Sequence, residues 1–242
     1  MLLALGGAAW WLSPAPEVDE LVVGPPPRGW ASLARQEEAW RRDGLSRRPA
    51  HSYRRFGEIS PDLVLAVLVG EDVNFLRHDF LDPAAIWEAI GEWHRGARLR
   101  GASTISQQLA RILFLSAERS VSRKLAEARL AWWIERRLSK RRILELYVNT
   151  VEFGPGLFGA EAASQHYFGV GAGTVGPAEA AQLAAGIPSP GRDNPSTRTA
   201  RWELRRSLIA ERSARAVSLR VQLVELAAAA KEAGGASARD HS

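Results

Sequence analysis

Two segments of the sequence carry carboxylates placed where they could do acid–base work. The first is EDVNFLRHDFLD, residues 71–82. Glu71 and Asp72 end a run of almost unbroken apolar residues, so at least one carboxylate sits at a buried edge. Burial raises a carboxyl pKa and makes the group usable as a general base. His78 lies further along and could orient the loop, although the same residues also suit an acidic helix end beside a structural histidine. The second segment is ERSVSRKLAEARLAWWIE, residues 118–135. Arg119, Arg123 and Lys124 precede Glu127 there. Arg123 and Glu127 stand one helical turn apart, the spacing of an ordinary surface ion pair. A carboxylate among so many cations stays ionised, which suits a metal-binding or charge-stabilising role.

Between these lies GASTISQQLAR, residues 101–111. Its small residues let backbone come close to a ligand. Ser103, Thr104, Gln107, Gln108 and Arg111 then crowd polar groups at a helix start. Free N–H groups there attract anions, so the segment could cradle a diphosphate or a sugar; an ordinary capped helix would look the same. A fourth stretch, residues 139–169, holds Tyr147, Asn149 and Glu152 before a glycine break at Gly154, Gly156 and Gly159.

The elements that must hold these groups are helical. Ser60-Pro61 predicts an N-cap with proline at the first helical position, leading into DLVLAVLVGED. That helix is apolar all round and therefore buried. Further helices are predicted at 30–43, 84–97, from Thr104 onward, 120–138, 139–149, 160–168 and 177–186, with a long arginine-rich helix from Thr199. No segment sustains the alternation of a strand. Residues 55–215 form the mainly α-helical domain. Before it come an apolar segment at 1–12 and a proline- and arginine-rich linker with a short helix at 13–54. After it come a C-terminal helix and a disordered tail at 216–242.

Composition bounds the partners. The chain has 242 residues with 32 Lys+Arg, 27 Asp+Glu and no cysteine, and its pI is near 10.2. The absence of cysteine excludes disulfides and thiolate metal sites. The basic balance favours anionic partners, whether phospholipid headgroups, pyrophosphates or nucleic acid. The apolar start, MLLALGGAAWWLSP, is shorter than the roughly 20 residues that span a bilayer. Trp10 and Trp11 suit headgroup level, as the remnant of a membrane anchor.

Taken in order, the motifs resemble those of the family 51 glycosyltransferases, found in class A penicillin-binding proteins and in monofunctional peptidoglycan transglycosylases. The matching residues are Glu71-Asp72…Phe75…His78, Gly101 to Arg111, Arg123-Lys124…Glu127, and Ile143-Leu144-Glu145…Tyr147…Asn149, closed by EAAQLAAGIPSP at 179–190. Ala102, Arg111 and Phe80 depart from the family's usual glycine, lysine and glycine. With no room after residue 215 for a transpeptidase domain, the monofunctional type is the closer match. The resemblance implies a lysozyme-like fold with a large lobe and a smaller membrane-facing lobe. It also implies polymerisation of lipid II into β-1,4-linked glycan, with inversion and release of polyprenyl diphosphate.

By the same resemblance, Glu71 is the general base. Arg111, Arg119, Arg123 and Lys124 stabilise the leaving group. Glu127 positions a divalent metal, Mg2+ foremost, or the basic groups themselves. Asp72, His78, Ser103, Thr104, Gln107, Gln108 and Asn149 complete the substrate site, with Asp72 expected to matter less than Glu71. No organic cofactor and no nucleic-acid partner are implied. The expected partners are the lipid-linked glycan, the outer face of the bacterial inner membrane and other cell-wall synthesis proteins. Two competing readings remain on residue grounds: a lytic muramidase, because two carboxylates in a sugar cleft can hydrolyse glycan, and a non-catalytic scaffold that binds lipid II at the membrane.

Overall fold

The computed structural model describes residues 10–78, 103–118 and 120–239, with side chains to residue 233. The helix predicted at 84–97, Phe80, Gly101, Ala102 and Arg119 lie outside the described residues. In chain order the helices are α1 (Pro16–Asp19), α2 (Ala31–Arg42), α3 (Pro61–Glu71), α4 (Ile105–Phe114), α5 (Val121–Arg137), α6 (Lys140–Thr150), α7 (Ala160–Phe168), α8 (Pro177–Gly186), α9 (Ala200–Arg215) and α10 (Val217–Arg239). Three short strands were not foreseen: β1 (Ala50–His51), β2 (Glu152–Gly154) and β3 (Leu157–Phe158). β3 lies centrally, parallel to β1 and antiparallel to β2, with Ala50 opposite Leu157 and His51 opposite Phe158. Strands of two or three residues are too short to show alternation in a sequence.

The axis of the core is α3. Ser60 caps it by accepting from the Asp62 N–H at 3.2 Å, and Pro61 fills its first turn. Every residue from Leu63 to Val69 is buried, as its all-round apolar character requires. The alanine-rich α8 and the helices α9 and α10 pack on it. Trp202, on α9, is 1% exposed and donates its indole N–H to the Gln182 carbonyl at 3.1 Å. That bond fixes α9 against α8.

Gly70 sets how near α9 can come. A Cβ there would stand 3.1 Å from Ile209 Cδ1 and 3.4 Å from an Arg205 nitrogen. The missing side chain therefore lets Arg205 reach the end of α3. Gly156 has a different reason to be glycine. It turns the β2–β3 connection at φ +70°, and a Cβ would collide with the Trp40 ring at 2.0 Å.

The ends of the chain join the body more closely than a linker and a tail would. Ala15, Val18, Leu21 and Trp30 are buried in the core, despite the prolines around them. Arg129 holds the segment before α1, donating to the Trp10 carbonyl at 2.9 Å and to the Ser13 carbonyl at 2.6 Å. Trp11 meets Trp132 at 6.4 Å between ring centroids, and Arg136 stacks over Trp132 at 4.7 Å. At the other end α10 runs to Arg239 and buries Leu223 and Ala227 against α3 and the turn at Phe56–Glu58. The packed body thus extends on both sides of 55–215.

Candidate active site

Glu71 closes α3 with its side chain 10% exposed. One oxygen accepts from the Gln108 amide at 3.0 Å, and the other pairs with Arg205 at 2.7 Å. Arg205 also donates to the Gly70 carbonyl at 2.7 Å. Behind Gln108, the buried Tyr147 hydroxyl donates to the Gln108 carbonyl oxygen at 2.9 Å. Burial raises the Glu71 pKa above the ordinary carboxylate value, opposed by Arg205, the Gln108 hydrogen bond and Arg111. The group is therefore a carboxylate with a strengthened affinity for a proton, as the sequence led us to expect.

Glu127 sits on α5 and is 2% exposed. Arg123 reaches one of its oxygens at 2.6 Å and Lys124 the other. The expected surface pair is thus a buried carboxylate clamped by two cations. The Lys124 ammonium also donates to Ser103 Oγ at 3.1 Å and Gln107 Oε1 at 3.3 Å. Successive residues of α4 therefore face different ways. Gln107 serves the Glu127 cluster, and Gln108 serves Glu71. This helix start joins the two carboxylate clusters. Thr104 caps it, accepting from the Gln107 N–H at 3.3 Å.

As a metal ligand Glu127 fits poorly. Both of its oxygens already face cations, and among the described residues no group of three His, Asp or Glu side chains is placed to hold an ion. Direct coordination would bring a divalent charge against Arg123 and Lys124. The arrangement instead suits a carboxylate that positions two cations.

Three of the residues expected at the substrate site make contacts within the fold. Asp72 is a clasp: one oxygen accepts from the Ile105 N–H at 3.1 Å, and the other meets His78 Nε2 at 2.8 Å. It ties the loop after α3 to the start of α4, so both Asp72 and His78 are engaged with protein. Asn149 is fully buried, donates to the Arg54 and Glu145 carbonyls at 2.8 and 2.7 Å, and accepts from the Arg54 N–H at 2.8 Å. It fastens the strand-like segment at 50–55 to α6, with both amide hydrogens donated to backbone carbonyls.

Arg111 is exposed and makes no hydrogen bond or ion pair among the described residues. It lines a cleft of about 330 Å3 with Gln108, Arg123, Arg35 and Glu152. Gln108 connects this cleft to Glu71. A larger cavity, about 840 Å3, lies elsewhere, between residues 22–25, Tyr53, Arg141 and Ala230, and holds none of the expected site residues. Size alone therefore does not single out a candidate site; the meeting of a desolvated carboxylate with an arginine that has no ion pair among the described residues does. Sequence reading missed Arg205, which stands 134 positions from its partner Glu71. The only signal was the arginine density of α9.

A helical domain with a proton-avid carboxylate beside a cation-lined cleft has the equipment of an enzyme that transfers glycosyl groups from an anionic leaving group. The chain belongs to the transglycosylase family, whose model matches residues 40–214, and its mainly helical, lysozyme-like fold is that of the family. It is similar to the biosynthetic peptidoglycan transglycosylase of Methylobacillus flagellatus, with 45% identity over 162 residues, 66% of this chain and 70% of the relative. The proteins of that name from Shewanella oneidensis and Stutzerimonas stutzeri are 49% and 45% identical. Those matches cover 59% and 69% of this chain and 61% and 68% of the relatives, respectively.

Proposed function

We propose that the protein is a peptidoglycan glycosyltransferase that polymerises lipid II into glycan strands. The observation that carries this reading is Glu71: a buried carboxylate of raised pKa, coupled through Gln108 to a cleft rimmed by arginines. Glu71 takes the proton of the acceptor sugar's 4-hydroxyl. The freed oxygen attacks the donor's anomeric carbon, the bond to the diphosphate breaks, and the new β-1,4 linkage forms with inversion. Charge then gathers on the departing polyprenyl diphosphate. Arg111 and Arg123 face it from the cleft, with Lys124 behind them held by Glu127. Arg119 belongs to the same group by its place in the sequence. No step is routed through a metal.

The substrate's polyprenyl tail keeps the reaction at a membrane, on the outer face of the inner membrane where cell wall is built. No described helix is long and apolar enough to cross a bilayer. Trp10 and Leu12 are nonetheless exposed on either side of Trp11, which meets Trp132, and Arg129 and Arg136 of α5 lie over the Trp10 and Trp132 rings. Aromatic rings with interleaved cations suit a headgroup layer. Other cell-wall synthesis proteins would be met at the same surface.

The test is incubation of the purified protein with labelled lipid II, with products separated by size. Ladders of glycan support the reading. Shortening of preformed glycan without a lipid-linked donor would instead make the protein a muramidase, and binding of lipid II without turnover would make it a scaffold.

A further inference from the structure

Part of the cleft wall comes from upstream of the matched family segment. Arg35 stands on α2, before residue 40 where the match begins. Its side chain lines the same cleft as Arg111 and Arg123. Two of its nitrogens are anchored, one donating to the Leu115 carbonyl at 2.5 Å and the other to Ser32 Oγ at 2.7 Å. These bonds hold a long and otherwise mobile side chain at the wall of the cleft.

The position is electrostatically unfavourable as it stands. Partial burial and the positive charge of Arg111 both disfavour the charged form of Arg35. Its anchoring partners are neutral oxygens, and no carboxylate pairs with it among the described residues. Arg111 has no ion pair there either, and Arg123 Nε is buried without a hydrogen-bond partner. The carboxylate that lines this cleft, Glu152, is itself disfavoured as an anion by burial, and it accepts from the Gly156 N–H at 2.9 Å. Arg35 and Arg111 thus share one small cleft without a paired carboxylate among the described residues, beside Arg123, whose counter-charge is Glu127. Like charges so placed repel through a medium that screens less than water. A ligand with several negative oxygens would relieve that repulsion, and planar guanidinium groups match phosphate oxygens well.

We infer that Arg35 is a third anion-binding guanidinium of this cleft and, together with Arg111 and Arg123, grips the diphosphate of the lipid-linked substrate. The identity of the ligand rests on the glycosyl-transfer reading; the convergence of charge does not. A phosphate-containing headgroup of ordinary lipid offers related chemistry, so the experiment separates the two sources.

The full chain is compared with Arg35→Gln and Arg35→Lys in three measurements: lipid II polymerisation, calorimetric binding of inorganic pyrophosphate, and flotation with phosphatidylglycerol vesicles. Gln keeps a donor for the Leu115 carbonyl while losing the charge. For Arg35→Gln, KM should rise about tenfold, with kcat changed less, and pyrophosphate affinity should fall about tenfold, since a charge-assisted contact is lost. Arg35→Lys should fall between the two, because it keeps charge but not the planar fork. Vesicle binding should not move.

A wild-type KM or a wild-type pyrophosphate affinity in Arg35→Gln overturns the inference, while wild-type polymerisation leaves the proposed function standing. If Arg35→Gln fails to fold, Arg35→Lys decides, and wild-type pyrophosphate affinity in that variant overturns the inference. Loss confined to vesicle binding also overturns it, assigning Arg35 to the bilayer surface. Arg35-dependent pyrophosphate binding by a protein that polymerises nothing would keep the site and remove the function.

Discussion

Glu127 is buried and Glu71 keeps only a tenth of its side chain exposed, yet their surroundings compensate them differently. Glu71 closes an apolar helix and meets one guanidinium and one amide. Glu127 lies between a guanidinium and an ammonium, one on each oxygen. The first is left short of positive charge, so burial dominates and its affinity for a proton rises. The second is surrounded by cations that it also aligns. Burial alone therefore does not tell a base from a charge organiser; the number of cations at each oxygen does.

The largest effect should come from removing the base. Glu71→Gln keeps shape and hydrogen-bonding capacity but cannot accept the acceptor's proton, and polymerisation should fall by about 10^3-fold or more. Circular dichroism should show an unchanged fold. Wild-type turnover in the folded variant would break the comparison at its first term.

Glu127→Gln should cost roughly 10^2-fold, as the two cations lose their alignment and the substrate is misplaced. The same variant sharpens the question of metal. With Glu127 engaged by Arg123 and Lys124, the wild type and Glu127→Gln should respond alike to EDTA and to added Mg2+. A response to Mg2+ that disappears only in the variant would put an ion on Glu127.

Asp72→Asn should be felt more than its place beside Glu71 suggests. It weakens the clasp from the Ile105 N–H to His78, and with it the mutual position of α3 and α4. A loss of about 1–3 kcal/mol is expected for a buried charged hydrogen bond, read as a lower melting temperature with a raised KM. An unchanged melting temperature would mean that the clasp does not hold the two helices.

The smallest expected signal is a shift in pH dependence. A base works ionised, so kcat/KM should rise with pH through the Glu71 pKa, with its midpoint above the ordinary 4.5. The sign for stability is opposite. A carboxyl whose folded pKa is raised favours the fold below the unfolded value, and that contribution is lost as pH rises through the folded pKa. In Glu71→Gln this loss should vanish from melting curves between those two pKa values; its persistence would assign the titration to another group.

Much of this was legible from residues. Ser60-Pro61 and the apolar run after it specified α3 and its burial, because local capping and all-round hydrophobicity decide both. The crowding of cations near Glu127 was visible as spacing along one helix. What could not be read were contacts made across the fold. Arg205 reaches Glu71 because Gly70 and Trp202 bring α9 close, and Arg35 is tied to the wall of the cleft through the Leu115 carbonyl. The contacts of Asn149 were hidden for a related reason. A tyrosine and an asparagine two positions apart give no sign that the amide meets the backbone of Arg54.

The hydrogen bonds around Glu71 also bear on where a proton taken in the proposed reaction would go. The Tyr147 hydroxyl points at the Gln108 carbonyl, and the Gln108 amide points at Glu71, so both hydrogens run towards the carboxylate. An amide does not readily hand a proton on, and a guanidinium has no vacancy for one. Among the described residues, the interior behind Glu71 is a cul-de-sac for proton traffic. On the proposed mechanism, a proton taken from one sugar would therefore leave on the side from which it came, and that side would have to meet water or an exchanging group before the next transfer.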